Sequence, residues 1–214
     1  MIILKKSIIF DLDGTLWDTT VQVNEVWNKT AKKYNLEINS EQIKDIMGMT
    51  KEEIINFIFE NNIELGNKFI SECQIAENKY LKENGGTIYV NTLNTLKKLK
   101  KLGFDLYIVS NCQDGYIQSF LEYYNLDNKF KDYECSGRTG KSKEENIRMI
   151  MQRNNLIDAM YVGDTQKDYI SAKNNKIDFV WAKYGFGKCN GSVKYGVVDS
   201  YEHLIDLVTG INKI

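Results

Sequence analysis

The chain has 214 residues, 43% hydrophobic and 27% charged, with 28 basic and 29 acidic side chains and a formal charge of -1. That mixture can bury a core, which excludes a disordered chain, and its near-neutral balance leaves no electrostatic footprint for nucleic acid or an anionic membrane. A single histidine, His203, excludes His-pair metal sites and His-led phosphoryl chemistry.

Residues 1–6 place three apolar residues before two lysines, too few for a signal-peptide core. No run approaches the ~18 apolar residues of a membrane helix. A soluble, cytoplasmic protein without membrane partners is expected. Ser7 to Phe10 is a short apolar run closed by Asp11-Leu12-Asp13-Gly14-Thr15, which reads as a buried strand and a turn. From Asp18 to about Asn84 the pattern becomes helical and shows no convincing strand. Val23, Val26, Trp27, Thr30, Ala31 and Tyr34 recur at helical spacing, and Ser40-Glu41-Gln42-Ile43 looks like a helix start. Thr50-Lys51-Glu52-Glu53 is a capping box, and Phe69, Cys73, Ala76 and Tyr80 mark one face of a longer helix. Trp17 and Trp27 read as packing residues of this helical block.

Gly85-Gly86 punctuates the chain. Leu93, Leu96, Leu99 and Leu102 then form a helical stripe stopped by Gly103. Residues 104–109 read as a strand ending at Ser110-Asn111, followed by a helix through Ile117, Phe120, Leu121 and Tyr124. Lys131-Asp132-Tyr133-Glu134 reads as a poor candidate for a buried strand. Ile147, Ile150 and Met151 mark a helix. Residues 159–162 read as a strand ending at Gly163-Asp164, and Ile170 and Ala172 begin another helix. Short strands follow at Asp178–Ala182 and 195–198, with a last helix through Leu204 and Leu207. Strands alternating with helices predict an α/β fold, a Rossmann-like parallel-sheet core with an inserted all-helical cap domain. The expected division is a core of residues 1–16 and 86–214 and a cap of residues 17–85, with hinges near Leu16 and Gly85-Gly86.

Four cysteines, Cys73, Cys112, Cys135 and Cys189, show no C-x-x-C spacing and read as reduced thiols. The residues six positions after them are Lys79, Gln118, Lys141 and Tyr195, so a cysteine phosphatase loop, which needs arginine there, is absent. Gly140-Lys141-Ser142 imitates the end of a P-loop, but the glycine required five residues earlier is Cys135.

Three polar clusters remain, each at the carboxyl end of an expected strand: Asp11/Asp13, Ser110/Asn111 and Asp164/Asp168. Ligands of open parallel sheets bind outside those ends. Acids gathered there repel one another unless a cation sits among them, and such oxygen ligands suit Mg²⁺. Each pair alone is also an ordinary turn or cap former.

On these residues the chain resembles the haloacid dehalogenase-like (HAD) phosphohydrolases. Asp11-Leu12-Asp13-Gly14-Thr15 resembles the first motif of that family, Ser110 the second, and Gly163-Asp164-Thr165-Gln166-Lys167-Asp168 the fourth. The helical insert resembles the cap of the phosphoglycolate phosphatase and β-phosphoglucomutase type. The resemblance implies Asp11 as nucleophile forming an aspartyl-phosphate and Asp13 as general acid–base. It implies Mg²⁺ held by Asp11, the Asp13 backbone carbonyl and Asp164, with Asp168 as a further or supporting acid. Ser110 and backbone amides near Leu12, Asp13 and Asn111 would bind the phosphoryl oxygens. The third motif is normally a lysine followed by proline ahead of a helix. This chain has no proline, so the lysine is Lys143 or Lys141. Lys143, nearest the helix start, is preferred.

An acid at position 13 disfavours dehalogenation and the family's transport ATPases. The expected activity is a Mg²⁺-dependent phosphatase acting on a small phosphorylated metabolite. A sugar-phosphate mutase, a P-loop kinase and a non-catalytic binding protein are the alternatives. In the cap, Met47-Gly48-Met49-Thr50-Lys51 resembles a substrate-facing loop, where Lys51 would meet an anionic substrate or remain an exposed first-turn lysine.

Overall fold

The computed structural model describes residues 7–60, 62–190 and 195–210. The expected absence of a signal peptide concerns residues 1–6, which lie outside them. In chain order, strand β1 (Ser7–Phe10) and the two-residue β2 (Trp17–Asp18) precede helices α1 (Thr20–Ala31), α2 (Ser40–Ile46), α3 (Lys51–Phe59) and α4 (Ile63–Asn84). Then come β3 (Thr87–Ile88), α5 (Thr92–Lys101), β4 (Asp105–Ser110), α6 (Tyr116–Tyr124), β5 (Phe130–Cys135), α7 (Ser136–Thr139) and α8 (Lys143–Arg153). The chain continues through β6 (Ala159–Gly163), α9 (Gln166–Asn174), β7 (Asp178–Ala182), β8 (Gly196–Val198) and α10 (His203–Thr209).

Six strands form a parallel sheet in the order β5-β4-β1-β6-β7-β8. β1 lies in the middle, Ile8 opposite Leu106 on one side and Met160 on the other. All four of its residues are buried, as a parallel strand with both faces covered requires. Side chains alternate between faces. Ile8 and Phe10 join Leu106, Ile108, Met160 and Val162 in one apolar cluster, while Ile9, Tyr107, Val109 and Tyr161 join Ile147, Ile150 and Ala172 in another.

The helices between β2 and β3 carry a third cluster of their own, including Val26, Trp27, Phe59, Phe69, Ile70 and Cys73. Capping boxes start α2 at Asn39 and α3 at Thr50. The two chain crossings are joined: β2 pairs antiparallel with β3 through Trp17–Ile88 and Asp18–Thr87.

Three expectations need correction. Residues 131–134 do form a strand, as part of β5 at the sheet edge. Its charges are neutralised from outside: Glu134 pairs with Arg138 at 2.7 Å and Arg153 at 3.1 Å, and Arg153 also pairs with Asp132 at 2.8 Å. Trp17 belongs to the sheet's apolar cluster, with its ring edge-on to Tyr116 and Phe120 at 5.3 and 5.0 Å. The α5 stripe is narrower than four leucines: Leu96 and Leu99 are buried with Thr92 and Thr95, whereas Leu93 and Leu102 are exposed. No helix among the described residues is long and apolar enough to cross a membrane.

Candidate active site

Asp11 leaves β1 at its carboxyl end, its N–H donating to the carbonyl of Val162 at 2.8 Å. The chain then turns tightly. Leu16 donates to Leu12 at 2.8 Å, Gly14 donates to Trp17 at 2.9 Å, and Gly14 has φ +76°. A side chain at Gly14 would collide with the Asp164 carboxylate. Only glycine therefore fits both the left-handed backbone and the close approach.

The acids converge. Asp11, Asp164 and Asp168 each offer a carboxylate oxygen within 4.8 Å of the others, and all three are buried. Lys143, the first residue of α8 and 5% exposed, reaches into this group. Its Nζ lies 2.6 Å from Asp168 Oδ1 and 3.0 Å from Asp11 Oδ1. Only the first of these is a well-directed hydrogen bond; toward Asp11 the ammonium acts as a point charge. Burial opposes charging of Lys143, but Asp11 and Asp168 outweigh it and hold its pKa above the usual lysine value. Lys141 lies at the surface, just before Ser142, which caps α8.

Asp168 has both oxygens engaged. Oδ1 accepts from Lys143, and Oδ2 accepts from the Thr165 hydroxyl at 2.6 Å and the Thr165 N–H at 2.9 Å. It therefore anchors the ammonium more than it offers a free ligand atom. Asp164 differs: Oδ2 accepts from the Gly187 N–H at 2.7 Å, while the buried Oδ1 has no hydrogen-bond partner. Asp11 Oδ1 also lacks a hydrogen-bond donor. Burial, then the charges of Asp168 and Asp11, push the Asp164 carboxyl well above the carboxylate range. Burial and Asp168, against Lys143, push Asp11 up to about 7. A buried Asp164 oxygen with no hydrogen bond, beside an Asp11 oxygen that only the Lys143 charge reaches, fits a hard divalent cation such as Mg²⁺ among mutually repelling acids.

The Asp13 side chain has partners of its own. Its Oδ1 accepts from Tyr116 OH at 2.8 Å and from Thr19 Oγ1 at 3.1 Å, and those two hydroxyls lie 2.6 Å apart. Burial pushes Asp13 up to about 8, against the stabilising bond from Tyr116. An acid held protonated near neutrality is suited to donating a proton.

Ser110 and Asn111 end β4 beside these groups, 4% and 8% exposed. Asn111 spans the crevice: its Nδ2 donates to the Gly48 carbonyl, between α2 and α3, at 3.0 Å, and its Oδ1 accepts from Ser136 at 3.0 Å. Lys51 donates to Ser71 Oγ on α4 at 3.2 Å and lines an outer cleft of about 690 Å³ together with Lys141. His203 is exposed. Tyr116 and Gly187 escape a sequence reading because their roles exist only through distant contacts, and Thr19 because it stands outside any motif. Thr165, at N-cap spacing before Asp168, carried the one readable signal.

The chain has relatives among known proteins. The family model described as "Haloacid dehalogenase-like hydrolase" matches residues 8–182. The chain is 23% identical over 219 residues to a protein named Phosphoglycolate phosphatase from Vibrio vulnificus, covering 95% of this chain and 96% of that one. It is 26% identical over 176 residues to Pyrophosphatase PpaX from Oceanobacillus iheyensis, covering 80% of each. The fold matches the crystal structure of a predicted phosphatase from Clostridium acetobutylicum with a TM-score of 0.80, at 23% identity over 99% of this chain and 100% of that one. With the model's match running from β1 through β7, across every strand end that carries a site acid, the chain belongs to the haloacid dehalogenase-like hydrolases.

Proposed function

We propose that this hydrolase is a Mg²⁺-dependent phosphatase that cleaves a small phosphorylated metabolite through an aspartyl-phosphate on Asp11. The observation that carries the reading is the buried Lys143 ammonium set between Asp11 and Asp168, beside the Asp164 oxygen that has no hydrogen-bond partner. Asp11, Asp164 and the Asp13 backbone carbonyl would hold Mg²⁺, with Asp168 keeping Lys143 in place. When bound, the ion supplies positive charge that draws a phosphate dianion toward these acids.

The chain's own groups account for the proton and bond changes. A carboxylate oxygen of Asp11 attacks phosphorus as the bond to the leaving oxygen breaks. Asp13 gives that oxygen its proton, and the free alcohol departs. Asp13, now a carboxylate, takes a proton from water; the hydroxyl oxygen attacks phosphorus and releases Asp11 and inorganic phosphate. Lys143, Ser110 and the amides at Leu12, Asp13 and Asn111 offer donors for the phosphoryl oxygens. Residues 17–85 act as a cap over this chemistry, and the bond from Asn111 to Gly48 closes it against water.

The test is turnover of p-nitrophenyl phosphate. Activity is expected with Mg²⁺, none after dialysis against EDTA, and inhibition by Ca²⁺, whose looser coordination spoils in-line geometry. Full activity in EDTA overturns the metal assignment.

A further inference from the structure

Glu77 takes no part in the chemistry above. It lies on the α4 face formed by Phe69, Ile70, Cys73 and Leu81, and is 5% exposed. Its Oε2 accepts from Trp27 Nε1 at 2.9 Å, and Gln113 is its other side-chain hydrogen-bond partner. Carboxyls are seldom buried this deeply without a cationic partner.

What Glu77 faces is informative. A half-open chamber of about 50 Å³ lies between the helical block and the strand ends. Asp13 and Ser110 line it from below, where a leaving oxygen would sit on the phosphatase reading. Glu77 and Gln74 line it from α4. Val23, Ile46, Met49 and Ile54 supply apolar wall. Among the described residues no lysine or arginine lines this chamber, and Lys51 and Lys141 line the adjoining outer cleft.

We propose that Glu77 is a specificity-determining residue that accepts a hydrogen bond from a hydroxyl or ammonium on the alcohol portion of a phosphomonoester and excludes short leaving groups that carry a carboxylate. The inference rests on the phosphatase reading and narrows its substrate class. A two-carbon carboxylate in this chamber would lie against the Glu77 carboxyl, with no cation among the described lining residues to balance it. Like charges set against each other out of water disfavour binding. A hydroxyl or ammonium instead meets an acceptor already fixed by the Trp27 indole. Similarity to proteins named phosphoglycolate phosphatase therefore does not carry over to the substrate.

The test uses the protein with Mg²⁺ at a single fixed pH. Three probes share a two-carbon skeleton: 2-hydroxyethyl phosphate, O-phosphoethanolamine and 2-phosphoglycolate. Wild-type kcat/KM should be at least about tenfold higher for the first two than for the third. Glu77→Gln, and independently Glu77→Met, should shrink that ratio by about tenfold. Equal or better turnover of 2-phosphoglycolate by the wild type overturns the proposal without reference to any variant. An unchanged ratio in either folded variant does the same. Absence of p-nitrophenyl phosphate turnover by the wild type would instead mark failure of the underlying phosphatase reading.

Discussion

At the strand ends, three buried carboxylates gather, and a buried ammonium pairs with two of them. Under the helices, Asp13 and Glu77 line a chamber that no lysine or arginine among the described residues lines. Both places concentrate acid, yet only the first is built around positive charge. Buried like charges raise one another's pKa and repel further anions. The first arrangement can therefore receive a phosphate dianion once a cation is present. The second has no such balance among its described lining residues. On the proposed reading, charge balance divides the crevice into a phosphate end and an alcohol end.

The sharpest way to break this contrast is at Asp11. Asp11→Asn leaves the cluster's shape but removes the nucleophile, because an amide does not attack phosphorus. Turnover of p-nitrophenyl phosphate should vanish, and wild-type activity in this variant would falsify the mechanism. Asp13→Asn removes the proton donor at the boundary and should slow the same reaction about 10²- to 10⁴-fold.

Lys143→Ala tests the balancing charge. It leaves Asp11 and Asp168 buried without their ammonium, at a cost of about 3–5 kcal/mol in stability, and turnover should fall by orders of magnitude. Lys141→Ala, at the surface, should leave both nearly unchanged. Thermal melts and rates on the pair decide the matter. A dead Lys141 variant with an active Lys143 variant would reverse the assignment.

Stability as a function of pH sharpens the other side. Burial pushes Glu77 up from 4.5 to about 7, against its bond from Trp27. The folded protein thus holds a proton there that the unfolded chain has released. The stabilising effect of this proton is full below about pH 4.5 and is lost as pH rises through about 7. Glu77→Gln has no such proton to lose. Relative to wild type it should gain on the order of 3 kcal/mol between pH 4.5 and pH 8. Denaturation midpoints across that range measure it, and a constant difference would show that Glu77 does not titrate there. The smallest effect is expected for Tyr116→Phe. It removes one of two hydroxyls on Asp13 Oδ1, costs about 1 kcal/mol, and should lower turnover several-fold, as steady-state kinetics would show.

The same contrast marks what the sequence discloses. Strand-end acids are legible because each lies directly after an apolar run, where sheet topology fixes its destination. Asp11, Asp13, Ser110 and Asp164 could be placed in one crevice for that reason. Lys143 was harder, since no proline marks the motif. The structure has the Ser142–Glu145 capping box at the helix start instead, a signal of equal physical content. Glu77 was illegible. An acid one residue after Ala76 on a helix reads as solvated until tertiary packing covers it. Tyr116 and Thr19 act on Asp13 across 103 and 6 residues, and neither stands in a recognisable motif. The strand β5 was missed because its charges match a solvent-exposed turn. Their arginine partners lie on α7 and α8, beyond the reach of local alternation.

The place of β1 in the sheet sets an order of events during synthesis. It is synthesised before both of its neighbours: Ile8 pairs with Leu106 and with Met160. At roughly 5–20 residues per second, a strand made about 150 residues earlier waits on the order of ten seconds for its second partner. The helices α1 to α4 emerge within that interval carrying a complete apolar cluster of their own. Their contacts are short in sequence, and such contacts form fastest. The helical block is therefore poised to fold before the sheet it will cover, and the nascent β1 must stay unpaired, apolar and accessible to chaperones until the rest of the sheet arrives.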